Sequence, residues 1–172
     1  MKRSVIIIAA FCIVQLLNAQ GNAIDDIFNK YSEREGFTVV NISGKMFSLL
    51  AGNGEKKDGT EILNSLKSIR ILSVEDSLLN RNINFYNELN SRINLNAYEE
   101  LMSVKESHDV TRILVKQKGD IITELLMVTG GPGGNTLISI RGDLNLKAIS
   151  ELSKSTGIEE LKDLDEVDSK NP

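Results

Sequence analysis

Apolar residues recur along this chain with a helical spacing at first. Ile24, Ile27, Phe28 and Tyr31 are three or four residues apart, which predicts an amphipathic helix that ends near Gly36. Two β-branched runs then predict early strands at 37–42 and 69–74. A second helical spacing predicts one long helix over residues 79–93. The first half of the chain is therefore expected to mix helices with two strands.

From residue 98 the apolar residues fall on every second position instead. This spacing predicts four strands, at 98–105, 110–116, 121–129 and 136–141. The separators are too short for parallel crossovers, so these strands should form an antiparallel meander. Residues 125–128 are apolar without alternation, which indicates a strand in the middle of the sheet, covered on both faces.

The fold class predicted from these patterns is α+β. A four-stranded antiparallel meander in the C-terminal half and two earlier strands are flanked by amphipathic helices. Asn145 can cap a last helix that carries Leu146, Ile149 and Leu152. We find no linker that would divide the chain, so residues 20–164 are expected to form one domain. Residues 165–172 are expected to be a frayed tail.

The first nineteen residues have the layout of a secretory signal peptide. Lys2 and Arg3 precede an apolar stretch at 5–17, and Ala19 offers the small residue that a signal peptidase needs. The stretch is shorter than the roughly 20 apolar residues of a membrane span. Acylation at Cys12 is an alternative, but Phe11 stands where a lipoprotein signal has a small residue. We expect export to the periplasm or cell surface after cleavage near Ala19, with no membrane span in the mature chain.

Charge and cysteine content limit the kinds of partner and cofactor that the protein is expected to bind. The formal net charge of the whole chain is −4. The leader carries two basic residues and no acidic one, so the net charge of the mature chain is −6. This acidic balance argues against nucleic acid as a partner. The only cysteine, Cys12, leaves with the leader, and His108 is the only histidine. We therefore predict no disulfide, no metal site and no cofactor.

A glycine-rich run at 129–135 (TGGPGGN) is the most conspicuous local motif. Phosphate-binding loops open a helix, whereas this run precedes a strand and lacks a following Lys-Ser or Lys-Thr pair. We interpret it as a hairpin turn that needs the conformational freedom of glycine. Together with any exposed sheet edge, the turn is the predicted surface for partner contact. The predicted contact residues are Gly130, Gly131, Gly133, Gly134 and Asn135.

No other group of residues predicts catalysis. His108 lies between Ser107 and Asp109 in a predicted turn, and adjacency in sequence does not make a catalytic triad. No catalytic residue is therefore assigned. The sequence Asp76-Ser77-Leu78 resembles the short O-glycosylation motif of Bacteroides-type secreted proteins, which makes Ser77 a candidate modification site.

Several segments, in order, resemble the DUF4252 family of uncharacterised exported proteins from Bacteroidetes. They are VVNISGKMFSLLAG (39–52), SIRILSVED (68–76), FYNEL (85–89), YEELMSVKE (98–106) and LISIRGDLNLKAISELSKS (137–155). The resemblance covers roughly residues 23–157. It implies a bacterial exported protein, and the frequent proximity of family genes to those of extracytoplasmic-function sigma factors implies an envelope-response role. It carries over no catalytic residue, because the family has no established activity.

These observations favour a non-enzymatic envelope protein that binds a protein or peptide partner, in envelope stress or surface signalling. Two alternatives remain open. One is a small-ligand carrier with an apolar pocket between the helices and the meander. The other is a hydrolase whose carboxylates come from distant positions such as Asp76, Glu99 and Glu124, because active sites are assembled in space rather than in sequence.

Overall fold

A computed structural model of the chain describes residues 23–52, 60–74 and 76–144, and these residues form one antiparallel sheet of six strands with helices on both faces. The helices are α1 (Ala23–Tyr31), α2 (Gly44–Ala51), α3 (Thr60–Ser65), α4 (Ser77–Asn80) and α5 (Phe85–Arg92). The strands are β1 (Phe37–Ser43), β2 (Leu66–Val74), β3 (Glu99–Glu106), β4 (Asp109–Lys118), β5 (Ile121–Gly130) and β6 (Thr136–Leu144). Their order across the sheet is β1-β2-β6-β5-β4-β3.

The predicted meander is confirmed. Strands β3, β4, β5 and β6 pair with their neighbours in sequence, each pair antiparallel. The sheet is larger than the meander, because β2 pairs with β6 and β1 pairs with β2. The two early strands therefore extend the same sheet, and β1 and β3 become its two edges.

One predicted element differs from the structure. The long helix expected over 79–93 is two separate helices, α4 and α5, with a turn between them. The Asp76 carboxylate accepts hydrogen bonds from the Leu78 and Leu79 amides, which starts α4. The Asn84 side chain accepts from the Asn87 amide and starts α5 independently. Since Asn84 holds its own backbone in an extended conformation, one continuous helix cannot pass through it.

Apolar side chains on the two faces of the sheet form two separate cores. Helices α1 and α5 cover one face, and their contacts with the sheet include Phe28, Phe85 and Leu126. Helices α2 and α3 lie on the other face, where Phe47 packs with residues such as Leu125. Strand β5 contributes to both cores, which confirms the expectation that residues 125–128 are covered on both sides.

A small polar cluster ties α1 to α5 at the edge of their shared core. Tyr31 Oη donates a hydrogen bond of 2.7 Å to Glu88 Oε2, and Lys30 Nζ lies 2.7 Å from Glu88 Oε1. Arg92 adds a second ion pair at 3.0 Å. Burial alone would raise the pKa of Glu88, but the hydrogen bonds from Lys30 and Tyr31 and the charges of Lys30 and Arg92 outweigh it, so this pKa lies below its ordinary value.

Helix α1 ends in a turn that only glycine fits well. Gly36 has a φ of +80°, and a Cβ atom at this position would lie 2.5 Å from Leu79 Cδ1. The turn brings the chain directly into β1. Gly36 therefore allows the chain to pass from α1 into the edge strand within a short turn.

Several sequence-based predictions lie outside the described residues. They are the signal peptide at 1–19, the last helix after Asn145 and the tail at 165–172. Within the part of the chain that the structure describes, no helix has the length and apolar character needed to cross a membrane.

Leu126→Asp is predicted to prevent folding. Leu126 is fully buried in β5, so the substitution places an unpaired charge in the core at a cost of several kcal/mol, comparable with the whole stability of a small domain. Circular dichroism and urea unfolding of the mature protein measure the effect. Ile121→Asp is the matched control, since Ile121 belongs to the same strand but is 49% exposed. A folded Leu126→Asp variant of near-normal stability would contradict the assignment of β5 as a central strand.

Glu88→Gln is predicted to cost more stability at about pH 7 than at about pH 3. Because folding lowers the pKa of Glu88, its carboxylate stabilises the folded state above the ordinary carboxyl pKa, and this contribution disappears as the pH falls through the folded-state value. Urea unfolding of the parent and the variant at both pH values gives the loss of unfolding free energy at each pH. Exposed Glu106→Gln is the control and should show little change. An equal loss at both pH values would contradict the proposed role of the Tyr31–Glu88–Lys30 cluster.

Candidate functional site

The glycine-rich run is the turn between β5 and β6, as predicted. Its glycines are not equally accessible. Gly130 and Gly131 are buried, while Pro132 and Gly133 form the exposed tip. A Cβ atom on Gly131 would collide with the Asp109 carboxylate, and the Gly133 amide donates a 2.8 Å hydrogen bond to Asp109 Oδ1. The turn is thus packed against the β3–β4 hairpin.

Asn135, the last residue of the predicted contact surface, is only 1% exposed and has a structural role. Its Oδ1 accepts from the Phe85 amide at 2.9 Å, at the start of α5. Its Nδ2 donates to Gly131 O at 2.9 Å and to Asn80 Oδ1 at 3.1 Å. One buried amide therefore links the β5–β6 turn to both α4 and α5. The sequence carries no local signal for this role, because its two helix partners, Phe85 and Asn80, are 50 and 55 residues away.

The single histidine lies where the sequence predicted it. His108 is exposed in the two-residue turn between β3 and β4, and Ser107 beside it has a φ of +48°. Asp109 directs its carboxylate to the Gly133 amide. These three adjacent residues are not arranged as a catalytic triad, since the carboxylate that would orient the histidine is bonded elsewhere.

A chain of charged side chains crosses the sheet on the α1 face. Glu124 is buried and bonded to three groups: Arg141 Nε at 2.7 Å, Tyr98 Oη at 2.8 Å and Ser139 Oγ at 3.2 Å. Burial and the neighbouring Glu124 charge raise the pKa of Tyr98 far above its ordinary value, so its hydroxyl keeps its proton.

The same series of charged side chains continues to helix α1. Asp25 Oδ1 lies 3.1 Å from Arg141 Nη1 and 2.6 Å from Arg70 Nη1. Arg70 also stacks over the Phe28 ring at 4.0 Å and donates to Asn41 Oδ1 on β1 at 3.0 Å. Two carboxylates therefore balance two guanidinium groups, and the arrangement fastens α1 to the sheet.

The three carboxylates of the hydrolase hypothesis have separate partners. Asp76 caps α4, Glu99 accepts from Gln117 Nε2 at 2.9 Å, and Glu124 is held by Arg141. Among the described residues no group of three or more His, Cys, Asp or Glu side chains is placed to hold a metal ion. Ser77, the candidate glycosylation site, is exposed at the start of α4, and its modification stays a prediction.

The edge strand β3 carries features that discourage pairing with another chain. Four of its eight residues are charged: Glu99, Glu100, Lys105 and Glu106. Its register with β4 also shifts between Glu100 and Met102, which marks a bulge or irregularity. Charges and bulges on an edge strand both oppose the addition of a further strand. This edge is therefore protected.

The opposite edge, β1, has none of these features. Its sequence FTVVNIS contains no charge and no proline, and its register with β2 is continuous from Phe37 to Ser43. The Val74 amide donates to Asn135 O, away from β1. Val74 lies opposite Phe37 in the β1–β2 register, so these two residues are not hydrogen-bonded to each other and the backbone groups of Phe37 point away from β2. Because the direction alternates along an antiparallel strand, the backbone groups of Val39 also point away from β2. No described strand lies on that outer side.

Exposed apolar side chains concentrate beside this edge. The described residues include seven exposed large apolar side chains, and four of them belong to β1 and to the helix that follows it, α2. They are Val40, Met46, Leu49 and Leu50. Leu49 and Leu50 are 66% and 61% exposed, although α2 buries Phe47 against the sheet. We call β1 together with these exposed α2 residues the β1–α2 corner. Clustered exposed apolar residues are typical of interaction surfaces.

Comparison with known proteins identifies a family but no characterised relative. The family model DUF4252, described as a domain of unknown function, matches residues 31–152, which include all six strands. Searches of curated proteins and of solved structures found no match.

Asn135→Ala is predicted to destabilise the protein by about 2–4 kcal/mol, because it removes several hydrogen bonds and leaves the buried Phe85 amide without its acceptor. Thermal and urea unfolding measure the loss. His108→Ala, in the adjacent exposed turn, should change stability by less than about 0.5 kcal/mol. If both variants were equally stable, Asn135 would not be the link between the turn and the helices.

Proposed function

This chain belongs to the DUF4252 family, and we propose that it is an exported, non-enzymatic envelope protein that binds an extended segment of a protein partner. The partner segment adds to the outer side of β1 and makes main-chain hydrogen bonds there, as in other cases of strand addition. The exposed apolar residues of the β1–α2 corner contact its side chains.

The contrast between the two sheet edges carries this proposal. Natural proteins protect edge strands with charges, bulges or proline, and β3 has two of these devices. Strand β1 has no charge, no proline and no register shift over seven residues. An unprotected edge beside exposed leucines invites aggregation unless a partner covers it, which favours a binding role.

The β5–β6 turn is the weaker candidate for partner contact. Gly130, Gly131 and Asn135 are buried and are used within the domain. Only the tip around Pro132 and Gly133 is exposed, and it offers little apolar area. We therefore assign the main contact to β1 and treat the tip as a secondary contact.

The envelope location and signalling role rest on sequence. The leader at 1–19 supports export, and the family resemblance supports an origin in Bacteroidetes and a place in an envelope-response pathway. The mature chain is acidic, which favours a partner protein over nucleic acid. Binding, rather than turnover, is the role that these features support together.

Site-specific photocrosslinking in the native host tests this function. A photoreactive amino acid in place of Asn41 should form covalent adducts with a partner chain, because Asn41 is exposed on the β1 edge. The matched control replaces Ser103, which is exposed on β3, and should form few adducts. Adducts at Ser103 but not at Asn41 would contradict the proposal. So would turnover of a glycoside, peptide or phosphoester library that a single Asp or Glu substitution abolishes at unchanged melting temperature.

A further inference from the structure

We propose that the strand received at the β1 edge is β1 of a second copy of this chain, so that two sheets join into one twelve-stranded sheet. This inference rests on the proposed function, because it names the occupant of the same edge. The two β1 strands run antiparallel about a two-fold axis that passes between the two Val40 residues.

The pattern of outward backbone groups fits this symmetric arrangement. Phe37 and Val39 point their backbone groups away from β2, and the alternation continues to Asn41 and Ser43. These four positions are symmetric about Val40. In a two-fold pair centred there, Phe37 meets Ser43 of the other copy, and Val39 meets Asn41. Every backbone group of β1 that points away from β2 then has a partner in the other copy, and neither strand extends beyond the end of the other.

The side chains fit the same register. Ile42 packs in the core on the α2 side, so Thr38 and Val40 share its face of the sheet. Across the axis, Val40 meets its own copy and Ile42 meets Thr38. Each of these pairs is β-branched on both sides, which is a favourable cross-strand combination. The absence of charge in β1 means that self-pairing brings no like charges together.

The exposed residues of α2 supply the additional contact area that a stable dimer needs. Stable interfaces bury about 1,200–2,000 Å² in total, more than one pair of short strands provides. A two-fold axis normal to the sheet keeps both copies of α2 on the same face, one on each side of the axis. Met46, Leu49 and Leu50 of each copy are therefore available to extend the contact beyond the strands.

By contrast, self-pairing of β3 is disfavoured. Its charged residues are concentrated at the two ends of the strand, and three of the four are acidic. A centred antiparallel pair would place Glu99 opposite Glu106 of the other copy, and the register shift between Glu100 and Met102 would interrupt the ladder. Homodimerisation through the sheet is thus specific to one edge.

Charge reversal at Val40 tests the dimer. The mature protein should sediment as a dimer at micromolar concentration. Val40→Lys and Val40→Glu should each be monomeric, because each places like charges opposite one another across the axis. An equimolar mixture of the two variants should recover the dimer mass, because only a pair centred on residue 40 brings the lysine opposite the glutamate. Val104→Lys, on the other edge at nearly the same exposure as Val40, should remain dimeric.

The remaining outcomes of the sedimentation and photocrosslinking experiments would overturn one or both proposals. A monomeric mature protein, a dimer that persists in Val40→Lys, or failure of the mixture to restore the dimer while both variants keep the melting temperature of the parent would overturn the self-pairing. Photoadducts at Asn41 between this chain and a different protein, together with a monomeric mass, would overturn self-pairing but leave the binding function intact. If neither a dimer nor adducts at Asn41 formed, both proposals would be wrong.

Discussion

The hydrogen-bond ladder of the six-stranded sheet is the interaction on which the rest of this structure depends. Inner strands satisfy their backbone groups on both sides, whereas an edge strand leaves every second residue unpaired. Strands β5 and β6 lie inside the sheet and contribute the residues that join both cores, such as Leu125 and Leu126. The sheet has two edge strands, and they differ: β3 carries charged residues and a register shift, whereas β1 has neither. The binding function that we propose lies at the edge that the sequence leaves unprotected.

The polar residues on the α1 face serve the fold rather than forming a second site. Asp25, Arg70, Arg141 and Glu124 neutralise one another, and Asn135 satisfies the first amide of α5. The ion-pair network is only partly buried, and one of its atoms, Arg141 Nη2, has no hydrogen-bond partner in the part of the chain that the structure describes. These polar residues hold α1 and α5, the two helices of this face, against the sheet.

The amino-acid sequence was sufficient to predict the local parts of this fold. Short separators required the meander, and the apolar run at 125–128 identified its buried strand. The pairing of β2 with β6 was not predictable, because these strands are about 60 residues apart and no periodicity connects them. The break between α4 and α5 was missed because apolar spacing continues across Asn84, whose capping role depends on its backbone conformation. Among the expected contact residues, the burial of Asn135 likewise depends on distant partners. The unprotected edge was visible only once β1 was known to be an edge.

Amide hydrogen exchange in the dilute mature protein tests the central claim most directly, because it reports whether the outer side of β1 is open. The account predicts fast exchange for the amides of Val39 and Asn41, which point outward, and slow exchange for those of Val40 and Ile42, which face β2. Slow exchange at all four amides, at a concentration where the protein sediments as a monomer, would mean that the edge is already paired within the chain, and would contradict the assignment of β1 as the binding edge.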